Sequence, residues 1–193
     1  MSGGDAMKPA NPGVKLTYDD FVLFPDDGRR HELIDGEHYV TPSPVSRHQL
    51  IVGNIAFHVR AFLESHPVGT VIPGPLDVIL STHDVVEPDL LYVSRERRDA
   101  VLKDWARGAP DLVVEVGSPS TRRRDATLKR DLYERFSVQE YWIVDPEAEV
   151  VRVHRLVNGR YDSSVEFAHG RGDTLTTPLL PGLALPLAAI FSE

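Results

Sequence analysis

Apolar residues recur at the spacing of one helical face over a single long stretch of the chain and in short bursts over most of the rest. From Ser46 to Ser65, Leu50, Ile51, Ile55, Val59, Phe62 and Leu63 keep that spacing, which predicts the longest amphipathic helix, ended by Pro67 and Gly69. Runs at 70–72, 76–80, 89–93 and 112–116 read as strands, with a short helix over 95–102 between the last two. Leu128, Leu132 and Phe136 then recur every fourth residue and predict a helix over 124–136 with one buried stripe, Lys129 and Tyr133 lying on the stripe beside it. A strand follows over 140–146, and a hairpin over 150–156 and 160–167 turns at Asn158-Gly159. Towards the start, Thr17 caps a short helix reaching Phe21, and 31–34 and 37–40 flank Asp35-Gly36 as a second hairpin. The proline-punctuated end, 175–191, carries a last short helix. The pattern is mixed α/β: a long helix, a sheet and a crossover helix, with no internal repeat.

Two of the predicted strands carry acids where apolar residues belong. Asp89 opens the run Leu90-Leu91-Tyr92-Val93, and Glu115 sits inside Leu112-Val113-Val114-Glu115-Val116. Burying an unpaired carboxylate costs on the order of several kcal/mol, so Glu115 is expected to be paired, protonated or bound to a cation. A divalent ion shared with Asp89 would remove that cost, and two acids followed by a lysine on the next helix suggest metal-assisted hydrolysis. The bland alternative makes Glu115 and Lys129 a buried ion pair and Asp89 a turn or cap residue.

The length of 193 residues favours one domain, expected over 15–193 after a loose polar, Gly- and Pro-rich tail at 1–14. The lack of cysteine excludes disulfides and thiolate chemistry and agrees with a cytoplasmic protein. No apolar run approaches membrane-spanning length. With 21 Lys plus Arg against 29 Asp plus Glu, the formal charge of −8 opposes nonspecific binding to a polyanion, so a nucleic-acid role must rest on local charge. Two basic clusters supply it: Arg95, Arg97 and Arg98 after the first acidic strand, and Arg122, Arg123, Arg124, Lys129 and Arg130 after the second. Either is a solvated face or a set of phosphate contacts. The histidines show no paired metal-ligand spacing, and phosphate-loop, serine-elbow and dinucleotide motifs are absent.

Several blocks in order carry a resemblance. His31-Glu32-Leu33-Ile34-Asp35-Gly36-Glu37, Pro42-Ser43-Pro44 with His48, Pro88-Asp89-Leu90, Asp111 to Val116 with Ser118-Pro119-Ser120-Thr121, then Asp125, Lys129, Tyr133 and Glu140 to Pro146 together resemble the Uma-type family, classed with restriction endonucleases in the PD-(D/E)XK nuclease superfamily. The resemblance implies a restriction-endonuclease-like fold, a central mixed sheet flanked by helices with added N-terminal and C-terminal hairpins. It implies a Mg²⁺-dependent endonuclease acting on DNA, with Mn²⁺ able to substitute. Asp89 and Glu115 would be the metal-binding acids, with the backbone carbonyl of Val116 as a further ligand. The superfamily lysine usually stands two residues after the second acid, where this chain has Gly117; the role would pass to Lys129, fourteen residues after Glu115. Glu32 and His48 are further candidates, Glu32 for the same ion and His48 for phosphate or substrate. Arg122, Arg123 and Arg124 are the candidate DNA phosphate contacts, and a homodimer is expected because cutting both strands favours two active sites. The competing reading is a catalytically inactive binding or assembly module on the same fold. A carboxylate-pair glycosidase is a third, with nothing in the sequence pointing to sugar.

Overall fold

A computed structural model describes residues 14–117 and 125–193. Thirteen strands form a six-stranded sheet, a five-stranded sheet and a small two-stranded ribbon among the described residues. The six-stranded sheet runs β11-β10-β9-β8-β6-β3, from Ser164–Ala168, Val150–Arg155, Glu140–Asp145, Leu112–Val116, Leu90–Ser94 and Gly69–Pro73. Its pairs are antiparallel except β8 and β9. The five-stranded sheet runs β2-β1-β5-β4-β7, from Glu37–Thr41, Arg30–Ile34, Asp84–Val86, Val78–Ser81 and Ala106–Arg107. The ribbon pairs β12, Thr174–Leu175, with β13, Leu185–Pro186.

Alternation along the strands assigns each face of the larger sheet to its own core. Leu90, Tyr92, Leu112, Val114, Val116, Trp142, Val144, Val151 and Val153 point one way, onto the long helix α2, Ser46–Ser65, through its Ile51, Ile55 and Val59. The C-terminal helix, Leu187–Ile190, joins the same layer, where Arg47 and Asn54 of α2 hold the carbonyls of Phe191 and Ile190. Leu91, Val93, Val113, Tyr141 and Ile143 point the other way. They meet Ile34, Val78, Val86 and Ala106 of the smaller sheet and Leu132 and Tyr133 of the crossover helix α4, Arg130–Arg135, which a π-turn over Asp125–Lys129 introduces. The smaller sheet turns its outer face, Leu33, Ile79 and Val85, to the short helix α1, Tyr18–Phe21.

Local chemistry explains the turns. Thr17 and Asp20 form a reciprocal capping box at the start of α1. Asp35 and Gly36 both take positive φ (53° and 75°), as do Asn158 and Gly159 (51° and 79°), the backbone that tight two-residue turns demand. A second, smaller sheet stands beside the expected central mixed sheet. Its strand β5 had no sequence signal, being three residues long between His83 and Glu87. The short helix after β6, α3, is also narrower than expected, Arg98–Val101.

Candidate functional site

The two acids that interrupt the apolar pattern meet where β6 begins and β8 ends. These strands pair antiparallel as Leu90↔Val114, Leu91↔Val113 and Tyr92↔Leu112, and one further step in that register sets Asp89 opposite Glu115. The ladder itself ends at Leu90↔Val114, and the Val116 amide, which donates to Asp89 Oδ2 at 2.8 Å, ties Asp89 to the end of β8 although it lies 26 residues from Glu115 in sequence. Asp89 is tied by its backbone as well: its carbonyl accepts the Gly74 amide at 2.8 Å. The approach needs glycine at 74, because a Cβ there would stand 2.5 Å from the Pro88 carbonyl oxygen.

Glu115 follows Val113 on the face that receives α4, so the crossover helix brings Lys129 to it. Lys129 Nζ lies 2.7 Å from Glu115 Oε1 and 2.8 Å from Glu32 Oε1. Tyr133, one turn further on, donates its hydroxyl to the same Glu115 oxygen at 2.9 Å. Burial together with the charge of Glu115 holds that phenol far above its usual pKa, so it stays protonated and remains a donor. Glu32 also accepts the Glu87 amide at 3.1 Å. Asp89, Glu115, Lys129 and Glu32 are 2%, 4%, 2% and 1% exposed, so this is a charged cluster closed off from solvent rather than a solvated face.

Asp89 is held from three directions. Its Oδ2 accepts from His48 Nε2 of α2 at 3.0 Å and from the Val116 amide at 2.8 Å, and its Oδ1 accepts from Arg30 Nη1 of β1. Burial acts to raise the Asp89 pKa, but His48 and Arg30 outweigh it and hold the carboxyl below its ordinary value. Arg30 is in turn attracted by Asp89, Glu115 and Glu87, against the cost of its burial. At Glu87 the balance falls the other way: burial, with Asp77 and Glu32 nearby, outweighs the pull of Arg30 and the His31 backbone and pushes it up to about 7.

The structure therefore brings Asp89, Glu115, Lys129, Glu32 and His48 into one connected network. Lys129 and Glu115 form the buried ion pair of the bland alternative, but Asp89 is no simple cap, being packed against the same cluster through Arg30. Val116 contributes its amide to Asp89. Arg122, Arg123 and Arg124 lie outside the described residues, as does the side chain of Asp125. Of the other basic cluster, Arg97 is committed to structure, donating to Asp111 Oδ1 and to the Ala109 carbonyl, both at 2.7 Å.

Arg30 and Tyr133 complete the network beyond the expected set. Arg30 had a legible signal, since it precedes Glu32 by two residues on β1 and alternation puts both on one face. As for a cation, the described residues hold no cluster of three or more histidine or acid side chains around a common point. Two opposed carboxylates completed by backbone oxygen and water nevertheless suit Mg²⁺, which keeps several waters and takes few protein ligands.

Comparison with known proteins follows the same line. A family model described as "Uma2: Putative restriction endonuclease" matches residues 18–188. A solved structure described as "a putative nuclease belonging to DUF820 from Anabaena variabilis ATCC 29413" superposes with a TM-score of 0.77 at 20% identity, covering 92% of this chain and 98% of that one, and so shares its fold. No curated protein matches the chain in sequence.

Proposed function

From the membership of this chain in the Uma2 family, described as "Putative restriction endonuclease", we propose that it is a metal-dependent endonuclease hydrolysing DNA phosphodiester bonds. The observation that carries the reading is the meeting of the start of β6 with the end of β8, where the Val116 amide holds Asp89 and Lys129 holds Glu115. The carboxylates of Asp89 and Glu115 and the carbonyl of Val116 would hold Mg²⁺, with Mn²⁺ as a substitute. Such an ion supplies a bound water of lowered pKa and positive charge against the developing phosphorane.

The protein's own groups do the rest. His48 and the Val116 amide fix the Asp89 rotamer through Oδ2. Tyr133 and Lys129 fix Glu115 through Oε1, and the buried ammonium is a preorganised charge for orienting a water or a nonbridging oxygen. Glu32 serves as the second anchor of that ammonium. Arg122 to Arg124 are the phosphate contacts in this reading.

The purified protein should nick and linearise plasmid DNA with Mg²⁺ or Mn²⁺, and Asp89→Ala and Glu115→Ala should each abolish the cleavage. Undiminished cleavage by Asp89→Ala would overturn the assignment. A second reading, a nuclease-fold binding or assembly module without catalysis, is favoured by one observation: Arg30 and Lys129 already neutralise Asp89 and Glu115 without an ion. Absence of Mn²⁺ binding together with absence of cleavage would decide for it.

A further inference from the structure

We propose that Arg30 is the movable counter-ion of the cation position: it holds the Asp89 oxygen that a metal would take, and metal entry turns it outward onto the substrate phosphate. The inference rests on the reading of Asp89 and Glu115 as metal ligands. It adds a role for a residue outside that set.

The two oxygens of Asp89 are unequal. Oδ2 already accepts two hydrogen bonds, from His48 at 3.0 Å and from the Val116 amide at 2.8 Å, and these set the rotamer. Oδ1 accepts only the Arg30 guanidinium among the described residues. An ion shared with Glu115 has to use Oδ1, where a positive charge already stands. Two cations on one oxygen repel, which loosens whichever of them is freer to move.

Exposure decides which group is free to move. The Lys129 side chain is 3% exposed and locked between Glu115 and Glu32, so its departure would strand two buried acids. The Arg30 side chain is 19% exposed, the more open of the two cations. An outward swing takes it towards water and not through packed core. A displaced guanidinium is also well matched to a phosphate, since its planar fork engages two oxygens at once. Lys129 is thus the fixed charge of the site and Arg30 the exchangeable one.

The test is a Mn²⁺ titration of the metal-free full-length protein without DNA, followed by electron paramagnetic resonance. Arg30→Gln should bind Mn²⁺ about tenfold more tightly or better, because a competing charge is gone, while Arg30→Lys stays within about threefold of wild type. A second measurement needs no weakened variant: the Arg30 Nε signal of the wild-type protein, assigned by its loss in Arg30→Lys, should move on saturation with Mg²⁺. Equal or weaker binding by Arg30→Gln, with binding still lost in Asp89→Asn, overturns the proposal and leaves the metal reading intact. An Arg30 signal unmoved by Mg²⁺ does the same. Wild-type Mn²⁺ affinity in Asp89→Asn overturns the metal reading and this proposal with it.

Discussion

Replacing Lys129 with methionine isolates the energetics of the buried cluster. The ammonium bridges Glu115 and Glu32 at 2.7 and 2.8 Å, and all three residues are nearly solvent-free. Methionine keeps most of the volume and removes the charge, leaving two buried carboxylates beside one another. Breaking a buried ion pair in this way costs about 3–5 kcal/mol. For a domain of this size each kcal/mol lowers Tm by roughly 2–4 °C, so Lys129→Met should melt roughly 6–20 °C below wild type. Differential scanning calorimetry in EDTA at pH 7.5 measures the loss.

The pH dependence supplies the mechanism. Without the ammonium a carboxyl in the cluster gains a raised folded-state pKa. A raised pKa contributes stability below the unfolded value that is lost as pH climbs through the folded one, so the variant should weaken steadily from pH 5 to pH 8 relative to wild type. Adding Glu115→Gln should recover part of the loss, because the amide oxygen still accepts from Tyr133 while one charge disappears. Glu115→Gln alone should leave the fold intact. A Lys129→Met melting point within about 2 °C of wild type would refute the argument, since a cluster worth that little is not desolvated. So would a gain in its relative stability with rising pH.

Asp111 and His38 give two further tests. Asp111, like Asp89, follows a proline, and it accepts from the Ser94 amide, Arg97 and Gln139, each at 2.7 Å, at the opposite end of β8 from Glu115. Asp111→Ala should lower stability by about 3 kcal/mol or more and leave Mn²⁺ affinity within about threefold of wild type; lost affinity at unchanged Tm would move the metal site to that acid. His38, whose Nε2 lies 3.0 Å from His31 Nδ1, has its pKa lowered from 6.5, chiefly by burial and further by His31. A histidine with a lowered folded pKa gives stability present above 6.5 and lost as pH falls through the folded value, so Tm should drop on acidification below neutrality and His38→Gln should flatten that slope. An equally steep slope in the variant would count against the histidine pair.

Much of this architecture could be read from the chain because its signals are local. The α2 stripe, the Asp35-Gly36 and Asn158-Gly159 turns and the capping box are each set within a few residues, and the structure has all of them. Asp89 and Glu115 stood out because a charge in an apolar strand breaks its pattern. Glu32 was harder to place: β1 lies between β2 and β5, and from His31 to Ile34 it is buried on both faces, so alternation cannot tell the inward acid from a surface one. The division into two sheets was hidden for a related reason. It depends on β5, a three-residue strand, and on which distant strands pair, and neither leaves a periodic trace. Alternation puts Arg30 on the same face of β1 as Glu32, but only the meeting of the two sheets makes it the neighbour of Asp89.

The parallel pairing of β8 with β9 bears on how such a centre is encoded. Parallel neighbours require the chain to cross one face of the sheet before returning, and here the crossing helix covers the face to which Glu115 points. Any cationic residue in the right phase on that helix is delivered to the acid, however many residues separate them along the chain. The lysine's address is therefore written in topology and helix phase instead of in a fixed interval after the glutamate. A motif defined by interval alone would pass over this chain, although its acid and its lysine are in contact.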